Sequence, residues 1–301
     1  MAEIRFCPIC QTSFEKAKLF LERNIDPVKF SNFSFASRKI PEFMCHRLLQ
    51  CPICDLVYAN QLPGEDELTH AYQAAHYDSS KEANDAAETY IRAIKPILKK
   101  LPKRQSVLEI GTGTGIFLEY LSHEGFTKLV GVEPSSAAIA AAPIHRQAWI
   151  REGIFKEEDF SSDSFDLICC FMTMEHVREP NIIARVALRL LRPGGAFVTV
   201  THDYRGFINR FLGKRSPIID IEHLQLFSRN SLRYLFQSVG YIGFDVHAIV
   251  NTYSLQYWTR LTPLPLRLKQ ISAELMTKIG LDHYKIGVNV GNLIAEGFKN
   301  D

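Results

Sequence analysis

Apolar and polar positions change period along this chain. Between Leu62 and Lys100, Ala71, Ala74 and Ala75, then Ala83, Ala86, Ala87, Tyr90, Ile91, Ile94 and Leu98 recur at spacings of three and four, which marks one face of a helix. Pro96 lies late in that run and Pro102 ends it. From about residue 105 short apolar runs alternate with helical ones. Val107-Leu-Glu-Ile, Leu129-Val-Gly-Val, a short stretch near Ile150, Phe165-Asp-Leu-Ile-Cys-Cys-Phe and Ala196–Thr201 read as strands. Segments 116–123, Ser135–Ala142 and 180–191 read as the helices between them. A further helix is predicted over Ser228–Val239, with Ser228 as N-cap and Gly240 past its end. Strands at about 241–250 and 286–297 would close the sheet. Such alternation predicts a parallel sheet covered by helices on both faces. The stretches 202–227 and 251–285 are insertions in that pattern.

The first 60 residues differ. Cys7 and Cys10 form one Cys-Pro-Ile-Cys tetrapeptide and Cys51 and Cys54 another, while Cys45 stands alone and Cys169 and Cys170 are adjacent. Two such knuckles suit a tetrahedral Zn²⁺ held by four thiolates, a closed structural site with no open position for catalysis. Cys45 and His46 are alternative ligands. The long interval between knuckles must carry structure of its own, and the alternation in Phe30-Ser-Asn-Phe-Ser-Phe-Ala predicts a strand. The expected organisation is a zinc-ribbon-like module over 1–60, a helical bridge over 61–104 and an α/β domain over 105–301.

Glycines cluster where the first strand of that domain meets its helix. In Glu109-Ile-Gly-Thr-Gly-Thr-Gly, the residues Gly111, Gly113 and Gly115 permit a tight turn and close backbone approach of a ligand. Glu133 ends the second strand, where a carboxylate accepts both hydroxyls of a ribose. No Lys-Ser/Thr follows, which excludes a phosphate-binding P-loop. Ile116 stands where a dinucleotide fingerprint requires Gly or Ala, which disfavours a nicotinamide cofactor.

Together, Val107-Leu-Glu-Ile-Gly-Thr-Gly-Thr-Gly, Val132-Glu-Pro-Ser, Ser164-Phe-Asp-Leu-Ile, Met174-Glu-His-Val and Leu191-Arg-Pro-Gly-Gly resemble the class I S-adenosylmethionine (SAM) methyltransferases over roughly residues 105–250. The resemblance implies a Rossmann-like seven-stranded sheet with its last strand antiparallel. It places Glu109, Gly111, Gly113 and Gly115 at the methionine part of SAM, Glu133 at the ribose, and Gly153, Ile154 and Phe155 at the adenine. Many relatives carry an Asp after that glycine. Ile154 stands there instead, and Glu157 or Glu158 is the expected substitute for that contact. The order of Cys-x-x-Cys pairs, this domain and His223 in Glu-His-Leu-Gln-Leu-Phe-Ser also looks like a bacterial subgroup found with sugar and surface-polysaccharide biosynthesis. That subgroup implies a sugar, nucleotide-sugar or glycan intermediate as acceptor.

Methyl transfer requires alignment of acceptor and methyl group, and a base where the acceptor must lose a proton. Glu175-His176 follows the fourth strand on the carboxyl-end side where ligands bind in open α/β sheets. His176 is therefore a candidate base, and His223 a second, with His202, Asp203 and Tyr204 beside it. Tyr72, Tyr77 and Asp78 are candidates to cap the cofactor, or plain packing. Quinone O-methyltransferases place a Glu three residues before this Glu-His to help bind Mg²⁺. Met172 stands there, so no catalytic divalent ion is expected. Cys169 and Cys170 read as small buried hydrophobes. Arg205, Arg210, Lys214 and Arg215 form a modest basic run, either solvated or aimed at phosphates. Segment 253–281 carries Trp258 with many Leu, Pro and Arg residues; it would cover the acceptor, bind a partner, or lie on a membrane surface as an amphipathic segment.

The 301 residues are 46% hydrophobic and 23% charged, ordinary globular values, with 35 Lys+Arg against 33 Asp+Glu for a net +2. That balance argues against nucleic acid as partner, and so against an RNA-modifying enzyme using the knuckles to hold RNA. A non-catalytic SAM-binding regulator is the other alternative. The start, MAEIRFCPIC, has no basic region and apolar run, and no stretch of about 18 apolar residues occurs. The expectation is a cytoplasmic protein.

Overall fold

The structure, a computed structural model, describes residues 3–26, 28, 42–62, 64, 70, 73, 80–262, 264–281 and 283–300. The strand expected at 30–36 and the residues Tyr72, Tyr77 and Asp78 lie outside them.

Two Cys-Pro-Ile-Cys knuckles shape the N-terminal region in the same way. In each, the residue after the second cysteine adopts a left-handed conformation, Gln11 at φ +57 and Asp55 at φ +65. Its N–H donates to the carbonyl of the first cysteine, and the N–H of that cysteine donates five residues on, to Thr12 and to Leu56 respectively. Around the knuckles run β1 (Glu3–Ile4), β2 (Lys18–Leu21), β3 (Leu48–Gln50), β4 (Val57–Ala59) and β5 (Gln61–Leu62). β1 pairs with β5, so this region continues past residue 60. The helix α1 (Ser80–Lys100) follows and packs against the main sheet.

The main sheet comprises β6 (Ser106–Ile110), β7 (Lys128–Glu133), β8 (Ile150–Glu152), β9 (Phe165–Phe171) and β10 (Leu191–His202), followed after β11 (Gln225–Leu226) by β12 (Ile242–Ser254) and β13 (Lys285–Phe298). Its order is β12-β13-β10-β9-β6-β7-β8. β13, the last strand in sequence, is antiparallel to both neighbours, and the other pairs are parallel. This is the expected seven-stranded sheet with an antiparallel last strand. Between strands lie α2 (Ile116–His123), α3 (Ser136–Ala141), α4 (Ile144–Gln147), α5 (Pro180–Leu190), α6 (Phe207–Leu212), α7 (Arg229–Val239), α8 (Leu255–Leu261) and α9 (Leu266–Lys278).

Strand alternation divides the core. Leu108, Ile110, Ile168 and Cys170 face α5 and α7, while Val107, Leu167, Cys169 and Phe171 face α1 and α2. Both adjacent cysteines are therefore fully buried, on opposite faces, because successive side chains in a strand point to opposite sides. Ser228 caps α7 through a reciprocal bond with Ser231, and Gly240 ends it in the left-handed region.

The insertions depart from the sequence pattern. Within 202–227, β11 pairs with β4 and so completes the four-stranded N-terminal sheet β11-β4-β3-β2. Within 251–285, β12 continues to Ser254 and β13 begins at Lys285, with α8 and α9 between them. Polar residues in those strand extensions, such as Asn251, hid the continuation. No helix among the described residues is long and apolar enough to cross a membrane.

Candidate active site

A cavity of about 740 Å³ opens at the carboxyl ends of β6, β7, β9 and β10, within the ordinary size of a cofactor or substrate site. Its floor is the loop after β6. Gly111, Gly113 and Gly115 all have positive φ, +77, +56 and +68. At Gly111 a Cβ would sit 2.2 Å from the Thr173 hydroxyl oxygen, whereas at Gly113 it would meet open space. The first glycine thus permits close packing inside the protein, and the second leaves the cavity clear.

Two carboxyl groups flank that loop. Glu109 is buried and accepts a hydrogen bond from the Thr112 hydroxyl; burial pushes its carboxyl up to about 8 against that bond. Glu133 is also buried, which raises it. One of its oxygens accepts from Gly113 N–H at 2.8 Å and the other from Ser135 N–H at 2.9 Å. A carboxylate oxygen has a second lone pair, so both remain able to accept a ribose hydroxyl.

Gly153, Ile154 and Phe155 line the neighbouring wall. Gly153 N–H donates to Glu133 O, and Phe155 stacks on Phe160 at 5.8 Å. Neither Glu157 nor Glu158 lines the cavity. Glu157 pairs instead with Arg189 at 2.6 Å, so this wall is apolar where many relatives have an acid.

Beyond the loop the cavity reaches three histidines. His176 and His223 have ring centroids 5.0 Å apart, and His202 and His223 5.3 Å. The hydrogen bonds fix their tautomers. His176 Nδ1 lies 3.1 Å from the Glu222 carbonyl, and His223 Nδ1 lies 2.9 Å from the Ile218 carbonyl. A carbonyl only accepts, so each Nδ1 carries a proton, which leaves Nε2 as the nitrogen that can take up or give up one. His202 Nδ1 lies 2.9 Å from Asn292 Oδ1, and Asn292 donates in turn to Asn251 Oδ1. His176, Glu222 and His223 offer three ligand-type atoms within 4.8 Å of one another. Apolar side chains complete the wall. Tyr90, Phe117 and Phe171 form one ring cluster, with centroids 4.8–6.4 Å apart, and Tyr253, Tyr257 and Trp258 another.

The other expected residues have different duties. Glu175 is fully buried and does not line the cavity; burial pushes its carboxyl up to about 8. It accepts from His202 N–H at 2.7 Å, while its carbonyl accepts from Leu224 N–H. It therefore ties the ends of β9 and β10 to the 202–227 insertion. Asp203 caps the turn into α6 through Arg205 N–H. Tyr204 donates to Asp55, and Arg205 makes a two-pronged pair with Asp55 at 2.6 Å, which removes it from the basic run.

The knuckles meet behind this site. Cys7 and Cys54 have sulfurs 3.4 Å apart, as do Cys10 and Cys51. Four thiolates about 2.3 Å from one ion stand about 3.8 Å apart, so the set fits a tetrahedral ion after slight expansion. Cys45 lies outside it, with its sulfur near Glu22 O, and His46 is half-buried elsewhere, where desolvation holds its ring down at about 4.

A seven-stranded sheet of this order, with a glycine loop and an acid at the ends of its first two α/β strands, defines a class I SAM-dependent methyltransferase. A methyltransferase-domain family model matches residues 82–243, more than half of the chain, and the chain belongs to that family. It is similar to a ubiquinone biosynthesis O-methyltransferase of Pectobacterium carotovorum, 22% identical over 194 residues that cover 62% of this chain and 72% of the relative. The Serratia proteamaculans enzyme of the same name is 24% identical over 62% of this chain and 71% of its own. Among solved structures, a SAM-dependent methyltransferase of Thermotoga maritima aligns with a TM-score of 0.49, at 22% identity over 72% of this chain and 91% of its own. The SAM complex of Haemonchus contortus phosphoethanolamine N-methyltransferase 2 aligns at 0.48, with 15% identity over 81% and 62%.

Proposed function

We propose that this enzyme methylates a hydroxyl group on a small acceptor with substantial apolar surface. The histidine pair at the end of an aromatic-walled cavity carries the reading. SAM, when bound, supplies an electrophilic methyl group. Glu109 and the Gly111–Gly115 loop hold its methionine part, Glu133 its ribose, and Gly153, Ile154 and Phe155 its adenine. His176 and His223 reach the same cavity with Nδ1 turned to backbone carbonyls, and the ring of one of them accepts the hydroxyl proton as the oxygen is methylated. Relatives named ubiquinone biosynthesis O-methyltransferases support oxygen as the methylated atom. The apolar wall (Phe171, Met172, Tyr253, Tyr257, Trp258, Leu261) favours an aromatic or lipid-like acceptor over the sugar expected from sequence. A sugar or nucleotide-sugar is the second reading, favoured by Asp220, Glu222, Asn251 and Asn292 on the same cavity.

We further propose that Cys7, Cys10, Cys51 and Cys54 hold one structural Zn²⁺. The test of function is a screen of hydroxylated aromatic, prenylated and sugar-nucleotide compounds for a SAM-dependent mass gain of one methyl group. Gain on hydroxylated aromatics or prenylated phenols is expected, whereas gain on sugar nucleotides alone would overturn the apolar reading.

A further inference from the structure

α9 is built inside out. A surface helix normally buries its apolar stripe and turns polar residues to water. Here Leu268, Ile271 and Leu275, at spacings of three and four, share one stripe of the helix, with Leu264 just before its start and Ile279 at its C-cap. Each is 44–59% exposed. The half-buried side carries Lys269, Ser272, Ala273 and Met276. Lys269 Nζ donates to Arg260 O at 2.6 Å, and Met276 sulfur lies 4.0 Å from the Thr259 hydroxyl. The helix therefore spends its small and polar side on α8 and presents leucine and isoleucine outward.

Charge indicates what covers that stripe. α9 holds Arg267, Lys269 and Lys278 against Glu274 alone, and Arg267 and Lys278 are exposed. A second patch has the same make-up. On α6, Phe207 and Phe211 are 84% and 81% exposed and stack on each other at 6.4 Å, with exposed Arg210, Lys214 and Arg215 around them. Both patches hang from one stretch of β13. Trp258 Nε1 on α8 donates to Ile286 O, and Asn209 Nδ2 on α6 donates to Val290 O. Residues that serve both anchors also border the cavity, including Trp258 and Val290.

We propose that this surface docks on an anionic lipid bilayer, with the α9 stripe and Phe207/Phe211 in the headgroup–acyl boundary and the basic residues on lipid phosphates. Apolar faces flanked by Lys and Arg bind anionic interfaces in this way. A second copy of the chain fits less well. Five half-exposed side chains bury roughly 400–500 Å² per partner, short of the ~800 Å² of a stable interface, and pairing like faces brings cations together. The inference does not depend on which atom of the acceptor is methylated.

The test is co-sedimentation of the full chain with vesicles of phosphatidylcholine alone and of phosphatidylcholine mixed equally with phosphatidylglycerol. Two variants accompany it, Leu268→Asp/Ile271→Asp/Leu275→Asp and Arg267→Glu/Lys278→Glu, both in exposed positions, with thermal melting as the folding control. Wild type should sediment with the anionic vesicles at least about tenfold more tightly than with neutral ones, and less so in high salt. The charge variant should lose most of that preference, and the stripe variant most of its binding. If wild type ignores anionic vesicles, or both variants bind as wild type does, the proposal fails. It fails equally if sedimentation velocity shows a dimer that the stripe variant converts to monomer without any vesicle binding by wild type.

Discussion

At Gly111, positive φ coincides with contact against Thr173, so any side chain is both strained and crowded. Gly111→Ala should cost about 1–3 kcal/mol of stability from backbone strain alone and displace the loop, and thermal melting together with SAM titration reads both. Glu133→Ala removes charge-assisted bonds of about 1.5–3 kcal/mol, so SAM affinity should weaken roughly 10- to 150-fold.

Glu109 predicts a pH effect. Its buried carboxyl, raised to about 8, is protonated over much of the neutral range, yet a cationic amino group requires the carboxylate. SAM binding should therefore tighten as pH rises from 6 to 8 and should release a proton. Calorimetry in buffers of different ionisation enthalpy measures that release, and Glu109→Gln should abolish it. The linkage to folding has the opposite sign. An acid raised on folding contributes most below its unfolded value near 4.5, and that contribution is lost as pH rises through about 8. Glu175, also raised to about 8, acts in the same direction, so Glu175→Gln should flatten the fall in stability between pH 5 and 8.

At the scale of elements, the histidine-bearing segments are also joined without either ring, by Leu224 and Gln225 N–H donating to Glu175 O and by the Gln225 amide, which makes the base assignment separable from folding. Once an acceptor is found, His→Asn at the true base should lower turnover by 10²–10⁴-fold with SAM affinity intact. Full activity in both His176→Asn and His223→Asn would reduce catalysis to positioning.

The strands were legible because each rests on local signals, with Val107–Ile110 and Phe165–Phe171 apolar runs interrupted only by Glu109 and Asp166, and the helix over 228–239 by its caps Ser228 and Gly240. The seven-stranded arrangement was legible only through the family resemblance. The two candidate histidines, His176 and His223, were legible only as two separate segments. Their meeting depends on Gln225, whose amide donates to Met174 O and Val177 O, and nothing local marks that residue. Asp203 and Tyr204 were read as cavity candidates because they adjoin His202, whereas adjacent residues leaving a strand point in different directions. Asn251 and Asn292 went unread, although an amide within an apolar strand is the signal of a buried hydrogen-bond pair.

Across the whole molecule, the knuckle region and the site are one structure. Arg5 is buried, which lowers it to about 10, and its guanidinium donates to Ala59 O, Leu224 O, Gln225 Oε1 and Arg178 O. Asp55, next to Cys54, accepts from Arg205, Tyr204 and Ser228. Burial pushes Asp55 up, but these bonds outweigh it and hold it at about 2. Loss of the proposed Zn²⁺ should therefore be felt at the histidines. Metal analysis should return one Zn²⁺ carried by the four cysteines, and chelation or Cys10→Ser should lower methyl transfer as well as loosen the N-terminal region. An ordered N-terminus without metal would contradict this.

The central claim is that SAM sits on the Gly111–Gly115 loop with its ribose on Glu133, facing His176 and His223. Isothermal titration of SAM into wild type and Glu133→Ala, with melting as a folding control, tests it most directly. One site per chain is expected, weakened roughly 10- to 150-fold in the folded variant. Equal affinity in the two proteins would contradict the account.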